Sequence, residues 1–148
     1  MVIKFRSKDY QYYMCGWSEE LSLGKKFWGR KQFDVFILNF DKTITFRGQV
    51  KLIIEDLIKR NTDWFHTVGF KAEYLHDEID LASVRLGRQK AVGDGSPMTA
   101  WFEEITRVKD MADHIKYSGL GHNNRVVVVF GKSKDFKRCA KIMKKMLR

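Results

Sequence analysis

The sequence predicts an α/β three-layer sandwich, in which a mainly parallel, Rossmann-like sheet is covered by helices on both faces. Two strand-length runs, at 33–40 (FDVFILNF) and 125–130 (RVVVVF), are almost unbroken in apolar residues, as in strands buried on both sides. The segments between them carry apolar residues at helical spacing. The resulting order is strand, helix, strand, helix, loop, helix, strand, helix, and such alternation favours parallel pairing through crossover helices.

Each element has its own signal. Residues 2–6 read as an added strand. The aromatic-rich stretch that follows, with Tyr10, Tyr12, Tyr13, Trp17, Phe27 and Trp28, reads as an extension over 1–32 packed on a single α/β domain. After the strand at 33–40, residues 48–61 place Val50, Ile53, Ile54, Leu57 and Ile58 on one helical face. WFHTV at 64–68 is a second strand, bounded by Asp63 and Gly69. Residues 71–86 align Ala72, Leu75, His76, Ile79, Ala82 and Leu86, with Gly87 as the stop. The turn-rich segment 87–99 (GRQKAVGDGSPMT) reads as a loop holding Pro97, the sole proline. Residues 107–118 form a helix through Val108, Met111, Ala112 and Ile115, and 119–124 a second loop. Four consecutive valines at 126–129 disfavour helix. The last helix, 133–147, turns Phe136, Cys139, Ala140, Met143 and Leu147 inward.

Composition narrows the class. With 44% hydrophobic and 31% charged residues over 148 positions, the chain is too apolar for a disordered basic tail and long enough to bury a core. Cys15 and Cys139 supply neither a disulfide framework nor zinc spacing. No apolar run reaches membrane-spanning length, and Lys4, Arg6 and Lys8 interrupt the first apolar stretch. The expected place is the cytoplasm, or the host cytoplasm for a phage-encoded protein. The net charge of +10 is uneven: +7 over 132–148, +4 over 1–32 and −1 between them. A local basic face is therefore expected instead of a uniformly cationic surface.

Ligands of open α/β sheets bind beyond the carboxyl ends of the strands, here segments 41–45, 69–70 and 131–133. The strand–Gly131–Lys132–Ser133–helix layout offers backbone N–H groups and a cation to an anion. It lacks the earlier glycine of a phosphate-binding P-loop, and its plain alternative is that Ser133 caps the helix. His76, Asp77 and Asp80 resemble part of a metal-hydrolase set, but need His114 and Asp113 nearby; a core histidine beside a solvated acidic face is the simpler expectation. His66 is one His-Thr pair, not the doubled H-x-T of two-histidine phosphoesterases. Cys139 reads as core. In the 87–99 segment, Arg88 and Asp94 are candidate polar groups, and Trp101 either stacks on a planar ligand or, with Met98, plugs the core.

Residues 63–104 carry a distinctive block: Trp64, Thr67 and Gly69; Glu73, Leu75-His76-Asp77 and Ile79-Asp80; Gly87-Arg88-Gln89, Gly93-Asp94-Gly95, Pro97-Met98-Thr99 and Trp101. The block resembles that of an uncharacterised family of small bacterial and phage α/β proteins sharing a GDGxPMTxW loop. The resemblance implies a compact α/β domain and brings no catalytic residues with it. Phe102 departs from the histidine that follows the tryptophan in that pattern.

The C-terminal helix carries the strongest electrostatic signal. Lys134, Lys137, Arg138, Lys141, Lys144, Lys145 and Arg148 surround its apolar stripe. The expected function is that of a small, basic, non-enzymatic binding protein whose basic ends engage an acidic protein or a polyphosphate. The alternatives are a nucleotide-ligand sensor or hydrolase using the strand ends and the 87–99 loop, and sequence-independent nucleic-acid binding. No metal, cofactor or membrane insertion is expected.

Overall fold

β3 (Phe33–Asn39) is the strand around which the other elements are arranged, and all seven of its residues are buried. The computed structural model describes residues 2–17, 32–60, 62–87, 98–118 and 123–148. They form one six-stranded sheet comprising β1 (Ile3–Arg6), β2 (Gln11–Gly16), β3, β4 (Thr62–Gly69), β5 (Met98–Phe102) and β6 (Asn124–Phe130). The spatial order is β1-β2-β6-β3-β4-β5. Only the β1–β2 pair is antiparallel; every other pair is parallel. Among the described residues four helices complete the α/β architecture: α1 (Gly48–Lys59), α2 (Ala72–Arg85), α3 (Val108–Tyr117) and α4 (Ser133–Leu147).

The pleat sorts the apolar residues into two cores. Phe33, Val35 and Ile37 of β3, with Val126, Val128 and Phe130 of β6, pack under Ile53, Ile54, Leu57 and Ile58 of α1 and Leu75, Ile79 and Ala82 of α2. Phe36 and Leu38, with Val127 and Val129, face Met111, Ala112 and Ile115 of α3 and Cys139, Met143 and Leu147 of α4. Both central strands are thus covered on both faces, which explains their unbroken apolar sequence.

Two expectations need correction. The 87–99 segment is not loop to its end, because Met98 and Thr99 begin β5, paired with Trp64 and Phe65 of β4. Residues 2–17 are also more than an extension on the core. They form the β1–β2 hairpin, and β2 joins the sheet beside β6, with Gln11 to Gly16 opposite Asn124 to Val129.

A buried cation ties this second region together. Arg125 is fully inaccessible; its guanidinium donates to the carbonyl oxygens of Ile115 and Ser118 at the end of α3. It also lies 3.6 Å from the centroid of the Tyr10 ring. These bonds satisfy carbonyls that a helix end leaves without intrahelical partners, and a charged donor strengthens them. At the opposite end of the sheet, Gly69 has φ +100°, and a Cβ there would come within 2.5 Å of the Asn39 carbonyl oxygen. Glycine is required both by conformation and by the close approach of β3.

Replacing Arg125 with Met keeps an apolar stem but leaves both carbonyls without their donor. The expected cost is about 3 kcal/mol, read as a lower urea midpoint at unchanged slope.

Candidate functional site

The chain leaves β3 into α1 over one face of the sheet and leaves β6 into α4 over the other. Adjacent parallel strands with diverging connections leave a crevice at their carboxyl ends. Here it measures about 620 Å³ and is bounded by residues 40–50 on one side and 130–135 on the other, with Trp17 at the end of β2. Its volume suits a small organic ligand.

The β3 wall is held in place from below. Asn39 is buried; its Nδ2 donates to the carbonyl oxygens of Asp41 and Phe70, at 2.9 and 2.6 Å, and its Oδ1 accepts from the Asp41 N–H. Lys71 Nζ donates to the Ile44 carbonyl at 2.7 Å, and the Tyr74 hydroxyl accepts from the Phe46 N–H at 2.8 Å. Ile44 and Phe46 are buried beneath the loop. Lys71 itself is left-handed, with φ 56°, a conformation that non-glycine residues seldom hold without surrounding support. These bonds brace the backbone of the wall from the neighbouring helix and strand end.

The β6 wall turns on Gly131. A Cβ there would meet Asp135 Oδ2 at 2.7 Å and Phe40 Cβ at 3.1 Å, so the close approach of loop and helix requires glycine. Asp135 Oδ2 accepts the Lys132 N–H at 2.8 Å, and the Asp135 N–H returns to the Lys132 carbonyl. The cap is therefore made by Asp135, three residues into the helix. Ser133, expected to cap, is instead the first helical residue. Trp17 stacks on Phe130 with ring centroids 6.3 Å apart and donates its indole N–H to the Gly131 carbonyl at 3.2 Å.

The charges divide unequally between engaged and free groups. Asp41 Oδ1 accepts from both the N–H and the hydroxyl of Thr43, and Asp135 closes the helix cap. Lys42, Arg47 and Lys132 are exposed at the rim, and among the described residues none of them is ion-paired. No histidine or cysteine lines the crevice among the described residues. Sequence reasoning located Gly131, Lys132 and the 41–45 segment here. It missed Trp17, Arg47 and Asp135; the spacing of Asp135 from Lys132 was the one local signal available.

Of the other candidates, Arg88 and Asp94 lie outside the described residues. Trp101 and Met98 are 46% and 56% exposed, so they do not plug the core. Trp101 covers His76, with ring centroids 4.4 Å apart. His76 is not a core residue either: it is half-buried, bonded to Asp77 and facing Asp80. It cannot share a metal with His114, because α2 and α3 lie on opposite faces of the sheet. Among the described residues no group of three or more acidic, histidine or cysteine side chains could hold a metal ion. Cys139 is buried, and burial pushes its thiol up to about 12. The cations of α4 are exposed except Lys144, which is half-buried.

His66 and His114 form a pair that the sequence did not reveal. The Nδ1 of His66 lies 3.2 Å from Nε2 of His114, and the rings pack against Phe36 and Phe102. Burial, then the neighbouring imidazole and Arg125, push His66 down to about 4; burial also lowers His114.

The sequence matches no family model, and no curated protein matches it at a significant level. No helix among the described residues is long and apolar enough to cross a membrane.

The depressed histidines make stability depend on pH. Their contribution is fully present above the ordinary value of 6.5 and is lost as pH falls toward about 4. For His66 alone this amounts to about 3 kcal/mol. Measured between those pH values, the melting temperature of the protein should therefore fall relative to that of His66→Phe as pH is lowered.

Proposed function

We propose that the protein is a binding protein for a small phosphate-bearing molecule, held in the crevice between β3 and β6. The observation that carries this reading is the set of unpaired rim cations, Lys42, Arg47 and Lys132, around a cleft at the point where the connections diverge. A phosphate dianion pairs with lysine and arginine through charge-assisted hydrogen bonds, while Asp41 and Asp135 are already engaged by local donors. The volume exceeds that needed by inorganic phosphate, and Trp17 and Phe40 supply apolar lining for an attached organic group. A nucleotide or sugar phosphate has both parts.

Binding is favoured over catalysis by what lines the cleft. The described lining residues hold no histidine or cysteine, and both carboxylates serve the backbone that shapes the walls. The Thr43 hydroxyl, 2.8 Å from Asp41 Oδ1, shares that carboxylate with its own N–H in a local turn, which makes it a structural donor.

Calorimetric titration with adenosine 5′-monophosphate, ribose 5-phosphate and adenosine tests the proposal. The two phosphorylated compounds should bind, adenosine at least about tenfold more weakly, and Lys132→Glu should weaken the phosphorylated pair by a similar factor. No heat from either phosphorylated compound, or affinities unchanged by Lys132→Glu, would overturn it.

A further inference from the structure

The cations of α4 are not part of the crevice described above. At 3.6 residues per turn, Lys134, Lys137, Arg138, Lys141, Lys144, Lys145 and Arg148 fall within about 120° of arc. That arc lies opposite the buried stripe of Cys139, Ala140, Met143 and Leu147. The row extends for about 20 Å along the helix. Asp135, the one acid of α4, lies outside the arc and is engaged in the cap. Among the described residues no cation of the row is paired with a carboxylate. The helix packs against β1 as well as β2 and β6, meeting Ile3 and Phe5 of β1. Lys4 and Arg6 alternate to the opposite face of the strand, where Lys4 Nζ lies 5.7 Å from the Tyr13 ring centroid, so the row at this edge is that of the helix alone.

We propose that this edge is a sequence-independent docking surface for the phosphate backbone of double-stranded nucleic acid. The composition of the arc distinguishes this partner from an acidic protein. Protein interfaces draw most of their affinity from buried aromatic and aliphatic anchors. Among the described residues the exposed large apolar side chains are Leu52, Leu81, Val84, Met98, Trp101 and Tyr117, and none belongs to α4. A surface that offers charge without anchors suits a polyanion of high, regular charge density. At about 3.4 Å per phosphate along one strand, a row of this length faces about six phosphates. The apolar stripe is spent on the core, so the helix has nothing to insert into a bilayer.

Fluorescence anisotropy with labelled DNA and RNA duplexes of mixed sequence tests the surface and separates the two sources of phosphate. Four phosphate contacts would give a salt slope of about −3.6, a loss of about 150-fold between about 50 and 200 mM salt. Substituting Glu at Lys137, Lys141 and Lys145 should weaken binding at least about tenfold and flatten the slope by about three units. Substituting Glu at Lys51, Lys59 and Lys109 changes the net charge equally but leaves the row intact. It should cost much less, with circular dichroism confirming that both variants fold. Equal losses in the two variants would assign the effect to net charge and overturn the proposal. So would a flat salt response, or polyglutamate competing as tightly as either duplex, which would favour an acidic protein.

Discussion

The Arg125 guanidinium, sealed between the sheet and α3, is the interaction on which the second half of the fold depends. Desolvating a cation is costly, and it is tolerated only where every side offers compensation. Here two carbonyls at the end of α3 accept its protons and the ring of Tyr10 lies against its plane, while buried Asp34 stands in register beside it on β3. A lysine would present one point charge where a planar fork meets two carbonyls and a ring together. The same side chain thus fixes where α3 ends, how the β1–β2 turn sits, and which face of β6 meets them. It also adds to the field that keeps the His66–His114 pair neutral.

With that region fixed, the opposite end of the sheet is free to form a cleft. The order β6-β3-β4 sends one connection over each face, so among the described residues no connection crosses the gap between the loops after β3 and β6. Its walls are set by side chains drawn from elsewhere: Asn39 ties two strand ends together, and Lys71 and Tyr74 hold the 41–47 loop from α2. The polar groups that shape the walls are largely engaged, and those at the rim are cations. For the ligand proposed above, a frame braced in this way would leave little conformational entropy to be lost on binding.

Much of this was legible in the sequence, and the parts that were not share a cause. β3 and β6 were readable because burial on both faces leaves no polar position in them. All four helices were readable from their apolar spacing. β5 was not, because it is an edge strand with Met98 and Trp101 exposed, and its sequence runs on from a turn-rich segment. The aromatic residues of β2 showed that the segment packs, but not that it pairs with β6. For the site, the Gly131–Lys132 turn announced itself because strand, glycine and helix are contiguous. Trp17 did not, since it reaches the cleft through contacts distant in sequence, and Arg47 lies two residues beyond the 41–45 segment that the strand end marks out. Ser133 was misjudged as the cap because serine is a common one, whereas Asp135 performs that task from within the first turn.

The placement of β2 has a consequence for how the molecule is made. The indole of Trp17 bonds to Gly131 across 114 residues of sequence, and β2 has β6 as its parallel neighbour. During synthesis the hairpin emerges before β6 and must wait for the strand it will lie beside. Until then Tyr12, Met14 and Cys15, all buried in the finished sheet, have no lasting cover. Such non-local pairing slows folding and prolongs exposure of apolar surface. The final step of assembly would then be the closing of a seam between early and late parts of the chain, with the cleft completed at the same moment.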